Sequence, residues 1–88
     1  MSCIVRVASP LRSYTGGAAS VSAIGRTLYE VLTDLDQRYP GMRFRMINEQ
    51  GRIRQHIRLF VNEVMAPDLA ATVTPGDTVH LICALSGG

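Results

Sequence analysis

The sequence contains no lysine: every basic residue among its 88 positions is an arginine, nine in all. That absence excludes a Walker-type phosphate loop, which ends in Gly-Lys-Ser/Thr, and any Schiff-base chemistry on a lysine amine. Cysteine is scarce as well. Cys3 and Cys83 stand at opposite ends of the chain in apolar runs. Even with His56 and His80 they lack the paired spacing, such as C-x-x-C, of a four-ligand zinc site. They read as small buried hydrophobes. No apolar run approaches the roughly 20 residues of a membrane span, so no membrane partner is expected. The segment Met1 to Arg6 lacks the charged-then-apolar order of a signal peptide, which makes a cytoplasmic protein with reduced thiols the expectation. A net charge of +2 is too small to call for a nucleic-acid partner by itself.

What is present describes one globular domain, 47% hydrophobic and 18% charged. Cys3 to Val7 is β-branched and bounded by Pro10, and reads as a strand. Thr15-Gly16-Gly17 is a turn and Ala19 to Ala23 a returning strand. Thr27 then caps a helix in which Leu28, Val31, Leu32, Leu35 and Tyr39 form one apolar stripe. Asp34 and Arg38 pair along it at i,i+4, and Pro40-Gly41 ends it. Met42 to Ile47 reads as a short strand, with Asn48 to Gly51 as a polar turn. Ile57 to Val61 alternates as a strand, and Val64-Met65 starts a short edge strand. Thr74 to Asp77 is a turn. Thr78 to Ala84, nearly all apolar, fits a central strand covered on both faces.

One long helix and four or five strands leave no second helix for a ferredoxin-like layout. The fold class that uses every element is α+β: a β-grasp, with one main helix laid across a mixed four- to five-stranded sheet. In it the first and last strands are central, parallel neighbours. Residues 1–84 form this domain, and 85–88 are expected to be a flexible tail.

Side-chain catalysis finds no support. There is no G-x-S-x-G elbow, no H-E-x-x-H and no G-x-G-x-x-G, and neither histidine has a nucleophile in a recognisable motif. Asp34 and Asp36 sit on the polar side of the helix, where a solvated face explains them. The tail is different. Gly87 and Gly88 pack no side chain and lose much entropy on ordering, so they finish a fold poorly. They make a thin arm suited to a narrow cleft in another protein. Such an arm presents a terminal carboxylate that is ionised at neutral pH, with a pKa near about 3.5, and must be activated before a nucleophile can attack it.

The β-grasp layout, the Pro75-Gly76-Asp77-Thr78-Val79 turn-to-strand segment and the Gly87-Gly88 ending together resemble the MoaD/ThiS family of ubiquitin-like sulfur carriers, over essentially the whole chain. Leu11-Arg12, Thr15-Gly16-Gly17, the Leu-rich helix, Phe60-Val61-Asn62 and the long 43–58 segment look most like its CysO-type branch, which serves cysteine synthesis. Molybdopterin-type carriers often have prolines before the tail, where this chain has Cys83-Ala84-Leu85-Ser86. The resemblance implies a co-substrate and not an enzyme. A ubiquitin-activating-like adenylyltransferase (sulfurylase) would use MgATP to adenylate Gly88, with no cofactor bound to this chain itself. A sulfur donor would convert Gly88 to a thiocarboxylate, with Gly87 and Ser86 as the inserting tail. A sulfur-accepting synthase, such as a cysteine synthase, would take the sulfur. A ubiquitin-like protein modifier and a binding module with an inert tail are the alternatives.

Strand alternation locates a docking surface. If Cys3, Val5, Val7, Ile57, Leu59, Val61, Val79, Leu81 and Cys83 face the helix, then Ile4, Arg6, Arg58, Phe60, His80 and Ile82 share the other face. Two isoleucines and a phenylalanine in a basic rim form a partner surface, unless the 42–56 segment folds back over them. Arg43, Arg45, Arg52, Arg54 and Arg58 crowd the same stretch of chain against Glu49 alone. An RNA site would need these bases on one face with stacking aromatics, and only Phe44 and Phe60 are at hand, so nucleic acid is not an expected partner. A solvated loop or an acidic protein partner remain as readings of the cluster.

Overall fold

A computed structural model describes residues 2–84. Five strands form one sheet in the order β2-β1-β5-β3-β4. They are β1 (Cys3–Val7), β2 (Ser20–Ala23), β3 (Ile57–Val61), β4 (Val64–Met65) and β5 (Thr78–Cys83). β1 and β5 are parallel and central, and every other pairing is antiparallel. The mixed sheet with central first and last strands matches the expected arrangement.

The main helix, α1 (Leu28–Arg38), starts where the Thr27 hydroxyl accepts the Glu30 N–H at 3.2 Å. The Glu30 carboxylate in turn accepts the N–H of Arg26, just ahead of the cap, at 2.8 Å, so the first turn and the chain entering it are tied together by side chains. Leu28, Val31, Leu32 and Leu35 are fully buried against the sheet. Each such side chain removed from water contributes about 1.5–3 kcal/mol. Asp34 pairs with Arg38 at 2.8 Å. Its carboxylate also accepts the Ile24 N–H, and Arg38 donates to the Ser22 carbonyl, tying the helix to β2.

Two segments depart from the expectation. Residues 9–15 form a 3-10 helix, Ser9–Thr15, with Pro10 in its first turn and Leu11 and Thr15 buried. Met42–Met46, read above as a strand, is a helix, α2. The physical reason lies in its neighbours. Gly41 adopts a φ of 93°, and Asp36 Oδ1 accepts the N–H groups of both Gly41 and Arg43 at 3.1 Å, capping a new helical turn. Met42 and Met46, four residues apart, then fall on one face and are completely buried, whereas Phe44 points outward at 56% exposure. Strand alternation would have put Phe44 inside with the methionines.

Candidate functional site

The strands set the candidate docking face. β3 pairs with β5 so that Phe60 lies opposite His80 and Arg58 opposite Ile82. β1 pairs with β5 so that Arg6 lies opposite His80. Arg6, His80, Phe60 and Met65 thus form one row across four strands, on the face away from α1. Cys3, Val5, Val7, Ile57, Leu59, Val79 and Leu81 all point to the helix side and are buried. All six residues assigned to the outer face therefore share it.

That face is open among the described residues. Ile4 and Ile82 are 44% and 42% exposed, and Phe60 and His80 are half-buried. The 42–56 segment does not fold over it. Met42, Met46 and Ile47 of that segment are buried in the core shared with α1. Two shallow depressions flank the row. One lies between Arg6, His80 and the β3–β4 turn at Asn62 and Glu63; the other runs from Arg6 and His80 to Arg12 and Ile82. The Arg12 guanidinium donates to the Val7 carbonyl at 3.0 Å, which holds its charge at the face's margin. Arg58 donates to the carbonyls of Gln55 and Ile57, and so stays at the opposite margin. The surface interleaves the apolar Ile4, Phe60 and Ile82 with Arg6 and His80, with Arg12 and Arg58 at its margins.

Met65 and Arg12 were not singled out from the sequence. Met65, 53% exposed, joins the row only because the β3–β4 turn places it opposite Phe60, and strand alternation within a single strand carries no such register. The signal for Arg12 was weaker still, since it depends on the 3-10 helix.

The last strand ends beside this face. Ala84 donates its N–H to the His56 carbonyl at 2.7 Å, one residue beyond the Ile57–Cys83 pair. Leu85, Ser86, Gly87 and Gly88 lie outside the described residues, and with them the tail and its assigned chemistry. Burial raises the thiol pKa of both cysteines. Cys3 is raised chiefly by desolvation, and for Cys83 the nearby Arg45 charge opposes the rise. No group of three or more His, Cys, Asp or Glu side chains gathers as a metal site among the described residues. Within the same limits, no helix is long and apolar enough to cross a membrane.

One main helix across a five-stranded mixed sheet, with parallel central first and last strands, defines a ubiquitin-like β-grasp protein. The ThiS family model matches residues 5–88, and the chain belongs to that family. It is 33% identical to the sulfur carrier protein CysO of Mycobacterium tuberculosis (strain ATCC 25618 / H37Rv) in an alignment of 93 positions covering all of both chains. The crystal structure of Mycobacterium tuberculosis CysO superposes with a TM-score of 0.89 at 32% identity, covering 94% of this chain and 99% of that one. A chain of the Amycolatopsis orientalis BexX/CysO complex gives 0.90 at 32% identity, covering 98% and 99%. SAMP1 from Haloferax volcanii, at 23% identity and a TM-score of 0.84 over the whole of both chains, shares the fold.

Proposed function

We propose that this chain is a sulfur carrier whose Gly88 carboxyl group is the reacting centre and whose open sheet face docks the enzymes that load and unload it. The observation that carries the reading is the family match, which runs through Gly88 and is joined by full-length similarity to the CysO carriers. The chain acts as a co-substrate, with catalysis supplied by its partners.

The chemistry follows from an unreactive carboxylate. A Gly88 oxygen attacks the α-phosphorus of MgATP in an adenylyltransferase; an O–P bond forms, the α–β phosphoanhydride breaks and pyrophosphate leaves. Hydrosulfide then attacks the acyl carbon, a C–S bond forms and AMP departs with the oxygen that held it. The product is a thiocarboxylate, reached without any change of oxidation state when sulfide is the donor. Gly87 and Ser86 allow the end to pass through a narrow channel. The row Arg6, His80, Phe60, with Ile4, Ile82 and Arg58 around it, supplies the recognition that brings that channel into line. That a CysO neighbour is found in complex with BexX supports a carrier that works by docking onto another protein. The CysO likeness favours a cysteine synthase as the acceptor, in a cytoplasm where free thiols stay reduced.

Incubation with the cognate adenylyltransferase, MgATP and sulfide, followed by intact mass measurement, tests the reading. One oxygen replaced by sulfur at the C-terminal residue is the expected result. Attachment to a target lysine would make the chain a modifier, and no change in mass on incubation, with the Gly88-deleted chain behaving identically, would make its tail inert; either outcome overturns the reading.

A further inference from the structure

The arginine-rich segment 43–58 takes no part in the open face apart from Arg58, yet the structure brings it to the root of the tail. Ala84 is held on the carbonyl of His56, so the chain leaves the sheet against this segment. Beside that point Phe44, Arg45, Arg54 and His56 line a cleft of about 220 Å³. Its cationic side chain is built and not merely solvated. Arg54 stacks on the Phe44 ring with 4.5 Å to the centroid, donates from Nε to the Phe44 carbonyl at 2.7 Å and is only half-exposed. Its backbone N–H donates to the Met46 carbonyl, fastening the chain after the Asn48–Gly51 turn to the end of α2. A guanidinium fixed in this way offers its remaining donors outward in a set direction, which a freely solvated arginine does not.

Among the described residues no carboxylate forms an ion pair with this charge. The only ion pair among the described residues is Arg38–Asp34, far along α1, and Asp36 is occupied in capping α2. Arg45 lies near enough to Cys83 to influence its thiol, which places a second cation at the tail's base.

Resting on the sulfur-carrier reading, we infer that the Arg45–Arg54–His56 cleft is a second docking element, which engages a carboxylate-lined wall at the mouth of the channel that receives the tail. Two arguments select that occupant. The cleft presents donors and positive charge, so its complement is acidic. The four residues after Ala84 span at most about 14 Å, so a fully inserted tail carries Gly88 and any nucleotide phosphate bonded to it well away from the cleft. What the cleft meets during insertion is the partner's surface around the entrance. The open face thus fixes where the carrier sits, and the cleft draws the tail's root towards the opening. Attraction of this kind acts over about one Debye length, roughly 8 Å at physiological salt, and shows itself in encounter rate and salt dependence.

The test is the KM of this carrier in pyrophosphate release by the cognate adenylyltransferase, measured at low and at physiological salt. For the unchanged chain KM rises with salt. Arg45→Glu with Arg54→Glu raises KM about tenfold at low salt and flattens its salt dependence, the loss falling on KM and not on kcat. Because Arg54 also braces its loop, Arg45→Glu alone is the second variant; Arg45 enters no ion pair among the described residues, and its reversal gives part of the same KM shift. Equal KM values and equal salt slopes for all three proteins overturn the cleft's role while leaving the carrier reading intact. Absence of pyrophosphate release from the unchanged chain removes both. Fluorescence anisotropy with a labelled oligouridylate is the remaining arm: tight binding lost in the same variants, with KM unaffected, assigns the cleft to RNA and overturns the inference.

Discussion

Asn62 and Asp77 lock the end of β3 to the start of β5. The Asn62 side-chain amide donates to the Asp77 carboxylate at 3.1 Å, and Asn62 Oδ1 accepts the Thr78 N–H at 3.0 Å. The Asn62 backbone N–H also donates to the Thr78 carbonyl at 2.7 Å, so side chain and main chain of Asn62 hold both backbone polar groups of Thr78. Since β3 and β5 carry Phe60, His80 and Ile82, this clasp helps set the register of the open face.

Acid should loosen the clasp in a defined direction. The Thr74 N–H, and then the Asn62 amide, hold the Asp77 carboxyl below its ordinary value of 3.8. A group depressed on folding stabilises fully above its unfolded value, and that stabilisation is lost as pH falls through the lower folded one. Asp77→Asn should therefore melt at a lower temperature than the parent at neutral pH, with the gap closing as the pH falls below the ordinary value of 3.8. Calorimetric melts over that range check it, and a constant gap refutes it.

Asn62 has a φ of 56°, in the left-handed region that costs most side chains free energy and that asparagine tolerates. Asn62→Gly loses the side-chain hydrogen bonds but keeps the backbone permissive; Asn62→Ala loses both. The expected order of melting temperatures is parent, then glycine variant, then alanine variant. Circular dichroism melts decide it, and an alanine variant above the glycine one contradicts it.

Gly25 is required for its size. A Cβ there would stand 2.6 Å from the Val31 nitrogen and 2.9 Å from the Glu30 Cβ, at the first turn of α1. Gly25→Ala should cost about 1–3 kcal/mol, as overpacking against backbone does. Urea unfolding measures it, and a midpoint unchanged from the parent's would show that the turn yields.

Phe60→Asp alters the centre of the open face while leaving the buried row Ile57, Leu59 intact. The domain should retain its far-ultraviolet spectrum, while affinity for the adenylyltransferase falls about tenfold or more, as for a central aromatic anchor. Isothermal titration provides the number; unchanged affinity would remove Phe60 from the interface.

The two thiols should be slow to react in the folded state. Burial raises the pKa of both, and the thiolate is the nucleophile. Iodoacetamide at neutral pH should alkylate the native chain about tenfold more slowly than the same chain in guanidinium. Mass spectrometry follows both rates, and equal rates would show that the thiols are accessible.

The alternation of β1, β3 and β5 and the 3.6-residue stripe of α1 were plain in the sequence, because each buries one face against a single layer. The assignment of Ile4, Arg6, Arg58, Phe60, His80 and Ile82 to one side needed only that alternation. α2 was not plain. Met42, Phe44 and Met46 satisfy a strand period, and the helix is decided by Asp36, six residues upstream, whose carboxylate caps it. The Met42–Met46 spacing of four was the available sign. The cleft by Ala84 had no local sign at all, since it depends on the pairing of Ile57 with Cys83 across the sheet.

β5 has one further consequence. It is bonded along both sides, to β1 in parallel and to β3 antiparallel. The tail therefore hangs from the most thoroughly braced strand of the sheet. Traction on it, as when a bound partner departs, would load two ladders of hydrogen bonds in shear along their length, instead of peeling an edge strand one bond at a time. If the proposed function holds, the end offered to partners is fixed where the body resists pulling best.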